Sequence, residues 1–321
     1  MNIPKLLRIL TVCLGLMANL ACNRQPPFRF LAIGDTPYSH EEERQLRKLL
    51  KQSEQEDFSF LIHVGDIQSG EDPCTDALLN NMRGLFQNYP KPVVYSIGDN
   101  EWTDCHATGG KPLEQLAKLR QQFFQDREVL RLQELQTEHQ SDSAQFASYI
   151  ENYRFTKSGV LFVVVHVCGS SNNKRTDDSA SMEEFTERNA ANLSFLEESF
   201  QVALEKQVPG VVIVMHANPD FENHKWDGFQ ETIALIQNFV GEYPGPVVCI
   251  HGDSHHHRID QPLRNTDGEL LDNFTRMEVF GSPHVIGVAA TVDPNSPEVF
   301  HFEPYTVPTD PDALPAASVD Q

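Results

Sequence analysis

The 321-residue chain carries 46 acidic side chains against 25 lysines and arginines, a formal charge of −21, with 40% hydrophobic residues. That hydrophobic share is ordinary for a soluble domain with a sizeable core. The charge excludes a nucleic-acid backbone or a basic membrane patch as partner chemistry, since both need a cationic surface. It also repels an anionic small molecule at long range unless local cations reverse the field, so bound metal is the thing to look for. An acidic surface kept soluble by repulsion explains the charge equally well.

Lys5 and Arg8 precede an apolar stretch over residues 9–20, which is too short for a comfortable membrane span and is laid out like a secretory h-region. Asn19-Leu20-Ala21-Cys22 resembles a bacterial lipoprotein cleavage box, with Asn19 where an aliphatic residue is usual. Residues 1–22 are therefore read as a signal peptide of lipoprotein type, exporting the chain to the periplasm or outer membrane with a lipid anchor at Cys22 as its sole membrane contact. A plainly cleaved signal is the alternative. Export permits disulfides. Cys168 and Cys249 end apolar runs and are expected as buried thiols, whereas Cys74 and Cys105 lie in polar loops and are the preferred pair.

Behind Pro26-Pro27 the chain alternates. Strands are expected at Phe28–Ile33, 58–64 and 92–97, and helices at 41–51, 77–86 and 113–124; the polar stretch 131–145 reads as surface helix or loop. Residues 160–167 form a continuous apolar run, as a strand buried on both faces should. A long helix at 185–204, a strand at 211–215, a helix at 229–239 and a strand at 247–250 follow. From Arg258 onward, short extended pieces at 276–280, 285–291 and 299–302 read as antiparallel strands. Strands alternating with helices predict an α/β fold with parallel βαβ units. One domain over residues 23–303 is expected, with a Pro-, Ala- and Asp-rich tail at 304–321 predicted disordered.

The informative residues stand just after the apolar runs, where ligands bind in open α/β sheets. Successive strands end in Gly34-Asp35, Gly65-Asp66 and Gly98-Asp99-Asn100-Glu101; later ones end in His216 and in His251-Gly252-Asp253-Ser254-His255. A single Gly-Asp is usually a turn or helix cap. Three in succession, joined by histidines at two further strand ends, offer the mixed carboxylate and imidazole donors of a transition-metal pair.

On these residues the chain resembles the calcineurin-like metallophosphoesterases, whose ordered pattern is Asp-x-His, Gly-Asp, Gly-Asn-His-Asp/Glu, a lone His, then Gly-His-x-His. GDNEWTDC, GSSNN and HGDSHHHRID further resemble a bacterial exported subgroup. The resemblance implies a four-layer α/β/β/α sandwich and two divalent metals, with phosphoester hydrolysis by a metal-bridging hydroxide on a small phosphorylated substrate. By position, Asp66 would bridge the metals, Asp35 and His255 would bind the first, and His216 the second. Pro37 replaces the His of Asp-x-His, Asp99 the metal-binding Asn, Asn100 the following His, and Asp253 the first His of Gly-His-x-His. Asp99 and Asp253 can still donate oxygen. Four aspartates then face two dications, so a bound water is less acidified and an incoming phosphate less attracted. Slow or specialised hydrolysis follows, with Mn²⁺ or Mg²⁺ favoured over Fe or Zn.

Asn100 stands where relatives contact the phosphate and assist the leaving group, yet it cannot transfer a proton. His106 is the nearby substitute, with a solvated loop histidine as its plainer reading. His63 and His166 lie inside strands and are expected in supporting or structural roles; His251 and His257 are replacement ligands in reserve, while alternation sends His256 to the other face. Asn172 and Asn173 read as turn residues or substrate contacts. Arg188 is expected in a surface ion pair or, less simply, on phosphate. No Ser, Cys or Lys is placed as an activated nucleophile, and no Gly-rich phosphate loop occurs. The competing function is an inactive descendant of the fold, serving as a binding protein at the cell envelope.

Overall fold

The computed structural model describes residues 24–307. The predicted signal segment, Cys22 and residues 308–321 of the predicted tail lie outside the described residues. Two sheets face one another. The first, in order β12-β11-β1-β2-β3, sets β1 (Phe28–Ile33), β2 (Phe58–His63) and β3 (Val93–Tyr95) in parallel. Two antiparallel strands, β11 (Gly287–Val292) and β12 (Phe300–Tyr305), extend it on the β1 side. The second sheet runs in order β4-β5-β6-β7-β8-β10-β9. Its middle is parallel: β6 (Val160–Val164), β7 (Val211–Val214), β8 (Val247–His251) and β10 (Phe274–Glu278). Its antiparallel flanks are β4 (Glu138–His139) and β5 (Tyr153–Lys157) on one side and β9 (Arg258–Asp260) on the other.

The period of two along the strands explains the layering. In β7, Val212 and Val214 point into the core between the sheets, whereas Val211 and Ile213 point outward onto helices. Between the sheets, Phe30 stacks on Phe60 and Phe155 on Phe162, and Phe60 meets Phe162 edge-on at 5.3 Å. Outside the first sheet lie α1 (His40–Ser53) and α2 (Asp76–Asn88), which bury Leu46, Leu49, Leu79 and Phe86. Outside the second lie α4 (Ser179–Lys206) and α5 (Gln230–Glu242), burying Leu196, Phe200, Ile236 and Phe239. The chain is a four-layer α/β/β/α sandwich. Helix starts follow capping chemistry: the Ser39 hydroxyl accepts from the Glu42 amide, and Thr75 from Leu78.

Several elements differ from expectation. The predicted helix over 113–124 is α-helical only in α3 (Pro112–Leu119) and widens into a π-turn at Arg120–Phe124. The polar stretch 131–145 buries Leu132 and supplies β4. Of the C-terminal strands, β10 is antiparallel to β9 as expected, but on its other side it is parallel to β8, because β9 turns the chain back between them in sequence. Strand β12 continues through Tyr305, two residues past the expected domain end, because Pro304 sits in an outermost strand where a missing amide is tolerated. Among the described residues no helix is long and apolar enough to cross a membrane.

Arg188 overturns the surface reading. It is fully buried, pairing with Glu184 one turn earlier while donating to the His166 carbonyl and to both oxygens of Asn172. Its guanidinium lies 5.4 Å from the Trp102 ring centroid. Truncation would strand these acceptors and the Glu184 charge in low dielectric. Arg188→Ala should lower unfolding stability by about 3–5 kcal/mol, read as a reduced urea midpoint at constant m-value; a shift under about 1 kcal/mol would contradict a structural role.

Candidate metal centre

Five strand ends from two sheets meet at one edge of the sandwich. Asp35 follows β1, Asp66 follows β2, Asp99 follows β3, His216 follows β7, and Asp253 and His255 follow β8. Two overlapping groups of potential ligands result, Asp35–Asp66–His255 and Asp66–Asp99–His216, each with donor atoms within 4.8 Å of one another. Asp66 belongs to both. His216 Nε2 lies 2.9 Å from Asp99 Oδ1 and 3.3 Å from Asp66 Oδ1; His255 Nε2 lies 3.6 Å from Asp35 Oδ1.

The backbone aims these rings. His216 Nδ1 donates to the Val64 carbonyl at 2.8 Å and His255 Nδ1 to the Ser282 carbonyl at 2.9 Å, which leaves each Nε2 facing the carboxylates. Asp35, Asp66, Asp253 and His255 all adopt positive φ, between 50° and 78°. Non-glycine residues there persist only where surroundings over-determine them, and such residues cluster at ligand sites. Close approach also requires glycine: a Cβ on Gly98 would stand 2.2 Å from Asp66 Oδ1, and one on Gly252 would stand 2.1 Å from Asp35 Oδ2.

The electrostatics are those of a site built around a cation. No lysine or arginine among the described residues pairs with Asp35, Asp66 or Asp99. Asp35 is wholly buried, and its Oδ2 has no hydrogen-bond partner. Burial pushes its pKa up to about 8 against the pull of His216. Asp66 is pushed well up by burial and by its neighbours Asp99 and Glu101. Burial would lower His216, but the charges of Asp66 and Asp99 outweigh it and hold the imidazole well above its ordinary value. Burial acts upward on Asp99 too, yet its bond to His216 and that ring's charge leave it below the usual carboxylate range. An orphaned buried oxygen, clustered carboxylates and two aimed imidazoles fit divalent cations.

Two contributors escaped the sequence reading. Tyr38, one residue beyond Pro37, brings its phenol into the first group: it donates to Asp66 Oδ2 at 2.7 Å and lies 3.3 Å from His255 Nε2. Glu101, the last residue of the GDNE run, is fully buried and accepts from the amides of Asp66 and Gly98 and from the Tyr95 hydroxyl. It fixes the turn that presents Asp66 and Asp99.

Other predicted residues fall differently. Asn100 donates from its side chain to the Tyr38 phenol at 2.8 Å and to the Gln68 carbonyl, while its amide binds Asp66 Oδ1. Asp253 stands outside both groups: its amide donates to Asp35 Oδ1, and its Oδ2 accepts from the Asn218 amide at 2.9 Å. His106 is not brought to the cluster. It is exposed on the Thr103–Thr108 turn, where Nδ1 donates back to the Thr103 carbonyl at 2.7 Å. His251 donates to Gly252 and His257 to Glu278, the latter stacked on Phe280, so neither joins a group. His63 meets the Thr36 carbonyl and His166 meets Glu151, as supports. Cys74 and Cys105 are disulfide-bonded, tying the loop after β2 to the loop after β3; Cys168 and Cys249 are buried and free.

The sequence model for calcineurin-like phosphoesterases matches residues 28–257, a span that holds every member of both groups. The chain belongs to the calcineurin-like phosphoesterase family. A search of curated proteins finds no significant match. Among solved structures, a dimetal phosphatase from Danio rerio aligns over 87% of this chain and 100% of its own, at 14% identity and a TM-score of 0.54. The protein TT1561 of Thermus thermophilus aligns over 88% of this chain and 99% of its own, at 10% identity and a TM-score of 0.48. The first likeness supports the metallophosphoesterase fold.

The charges set a pH dependence for the metal-stripped protein. Asp35 titrates near 3.8 when unfolded and at about 8 when folded, so the folded chain holds the extra proton between those values and loses stability as pH rises through them. His216, raised above 6.5, contributes fully below that value and loses its contribution as pH rises through its folded pKa. Both run the same way, and the lowered Asp99 matters only on the acid side. Chelator-treated protein should therefore melt lower at about pH 8 than at about pH 5, with Mn²⁺ restoring the loss. A melting temperature that rises across that range would contradict the cluster's charge balance.

Proposed function

We propose that the chain is a metal-dependent phosphoesterase using two divalent cations, exported and acting on a small phosphorylated substrate. The observation that carries the reading is the sharing of buried Asp66 between two ligand groups from five strand ends, next to an Asp35 oxygen that no protein group satisfies. Asp35, Asp66 and His255 would hold one cation, with the Tyr38 phenol as a further oxygen donor where the family pattern has the histidine replaced by Pro37. Asp66, Asp99 and His216 would hold the other. When bound, the cations supply Lewis acidity, polarising the phosphoryl oxygens and lowering the pKa of water.

The chain's own residues divide the remaining work. His216 and His255, tethered through Nδ1, keep their Nε2 atoms fixed, so no ligand must reorganise as charge develops. Asn100 orients the Tyr38 phenol and cannot itself protonate a leaving group. With His106 turned away, the described site presents no side-chain acid in the usual place, which favours substrates whose leaving group needs little protonation or receives it from solvent. The oxygen-rich donor set favours Mn²⁺ or Mg²⁺. Asp253 lies beside Asp99; burial and that neighbour push its pKa up to about 7, so its negative charge is partial near neutral pH and opposes phosphate capture increasingly as pH rises.

Export to the periplasm, with a lipid anchor at Cys22, rests on residues 1–22 and is supported by the Cys74–Cys105 disulfide, a bond that persists in oxidising compartments. The second reading, a non-catalytic binding protein at the cell envelope, has one specific observation in its favour: the Tyr38 phenol is hydrogen-bonded within the first group, which would leave a single working cation site.

Elemental analysis of untagged protein, paired with a phosphoester panel, separates the two. We expect two metals per chain and turnover that Asp66→Asn reduces by a factor of 10³ or more, on the order of 4 kcal/mol in the transition state. One metal or none, with no ester hydrolysed, would leave the binding protein. Tyr38→Phe should lower occupancy of the weaker site about tenfold in a chelator competition while leaving the tighter one; equal effects on both would remove Tyr38 from the first group.

A further inference from the structure

A cavity of about 340 Å³ opens beside the carboxylate cluster, with Trp226 and Phe229 as its aromatic wall and Ser170, Asn218 and Ser254 as its polar floor. Asp253 stands at the end nearest the metal ligands, its amide bonded to Asp35. The Ser170 hydroxyl, also on the lining, contacts Asp99 Oδ2 at 2.8 Å, so the cavity and the second ligand group share a boundary.

The aromatic wall is held in place. Ser170, Ser171, Asn172 and Asn173 adopt φ of 49°, 52°, 56° and 59°, a left-handed turn of four non-glycine residues. Such a turn costs energy at every position, and here the buried Arg188 grips it through both oxygens of Asn172. The loop bearing Trp226 is docked on that turn: a Cβ on Gly228 would lie 1.9 Å from the Ser171 carbonyl oxygen, and Asn172 Nδ2 donates to the Gly228 carbonyl. Phe229 is buried behind, while Trp226 is 45% exposed. Lys225 places its ammonium 4.4 Å from the indole centroid, covering one face of the ring. Among the described residues no lysine or arginine lines the cavity, and Asp253 is the one ionisable lining group.

We propose that this cavity receives the organic group of the ester, and that this group is an uncharged aromatic ring system such as a nucleobase, stacked against Trp226. The proposal rests on the phosphoesterase reading and names the substrate class for that site. An exposed aromatic with hydroxyl and amide groups opposite suits a flat heterocycle carrying polar edges, because every such ring has a face to stack. The volume is at the small end for ligand cavities, large enough for a nucleoside-sized group. A further phosphate reaching into it would meet Asp253 on the lining, while the Lys225 ammonium is engaged over the Trp226 ring and is not a lining group, so monophosphate esters are favoured over polyphosphates.

Adenosine 5′-monophosphate and ribose 5-phosphate present the same primary phosphate and differ in the base. For the metal-loaded enzyme, kcat/KM should favour the nucleotide at least tenfold; Trp226→Ala should bring the ratio below about three and Trp226→Phe should keep most of it. A ratio near one in the wild-type protein, or a preference that survives Trp226→Ala, would overturn the proposal. If neither ester is turned over, the phosphoesterase reading stands or falls with the metal count and the wider ester panel, and adenosine alone decides the pocket. Of the two tryptophans, Trp102 is buried, so Trp226 reports the cavity. Saturable quenching of emission that Trp226→Phe abolishes supports an aromatic-binding pocket, and no quenching overturns it.

Discussion

Buried carboxylates with no lysine or arginine partner among the described residues are the constraint from which the rest of the structure follows. Asp35, Asp66 and Asp99 are each at most 5% exposed, and the imidazoles beside them are the nearest groups able to answer their charge. Removing a carboxylate from water without compensation costs several kcal/mol. The fold offsets part of that through backbone donors: the amides of Asp253 and Asn100 point at Asp35 and Asp66. It does not offset all of it, since Asp35 Oδ2 receives nothing. The sandwich makes the cluster possible, because neither sheet alone brings Asp66 and His216 within reach. Phe60 against Phe162 sets the sheets' separation, and the strand ends inherit that registry.

The departures from the family pattern become intelligible as a linked set. Pro37 removes an imidazole, and the phenol of Tyr38 reaches into the space a ligand would use. Asn100, which also stands in for a histidine, donates to that phenol and to Gln68, holding the ring in place. The phenol in turn donates to Asp66, while burial and the carboxylates Asp66 and Asp35 push its pKa far up, so without a cation it stays protonated. Two losses at distant positions thus meet in one hydrogen-bonded chain. Asp253 behaves otherwise. Its carboxylate faces the Asn218 amide, and its contribution to the inner cluster comes through the backbone.

Much of this was legible from residue pattern alone. The continuous apolar run before Cys168 announced a central strand, and Gly-Asp pairs after three such runs announced a site at the strand ends. What escaped depended on distance between chain segments. The pairing of β10 beside β8 is decided by packing, since Phe274 and Met277, three positions apart, fall on opposite faces with polar residues between them and give no clear strand-pairing signal. Strand β5 was unreadable because Arg154 and Lys157 break its apolar character, although Arg154 is satisfied by Glu138 and Glu198 across the fold. Arg188 looked like half of a surface pair because Glu184 is its helical neighbour; its burial follows from the turn at Asn172 folding over it. Tyr38 was invisible for a related reason, since a tyrosine after a proline carries no ligand signal until His255, 217 positions later, is placed against it. His106 was attractive by proximity to Asn100 in sequence, and the Thr103–Thr108 turn points it to solvent.

The strongest argument against an idle scaffold is thermodynamic. A protein that kept the sandwich without binding a cation would gain stability by replacing Asp35 or Asp66 with a neutral residue, because the desolvation that raises their pKa values is free energy lost in the folded state. It would gain again by relaxing the positive φ angles at Asp35, Asp66 and His255. Surrounding elements work in the opposite sense: Glu101 braces the turn between two candidate ligands, the disulfide joins the loops that bear Asp66 and Asp99, and carbonyls at Val64 and Ser282 fix both imidazoles. Local rules broken together at one place, with supporting structure spent on keeping them broken, are the mark of a site that a ligand completes.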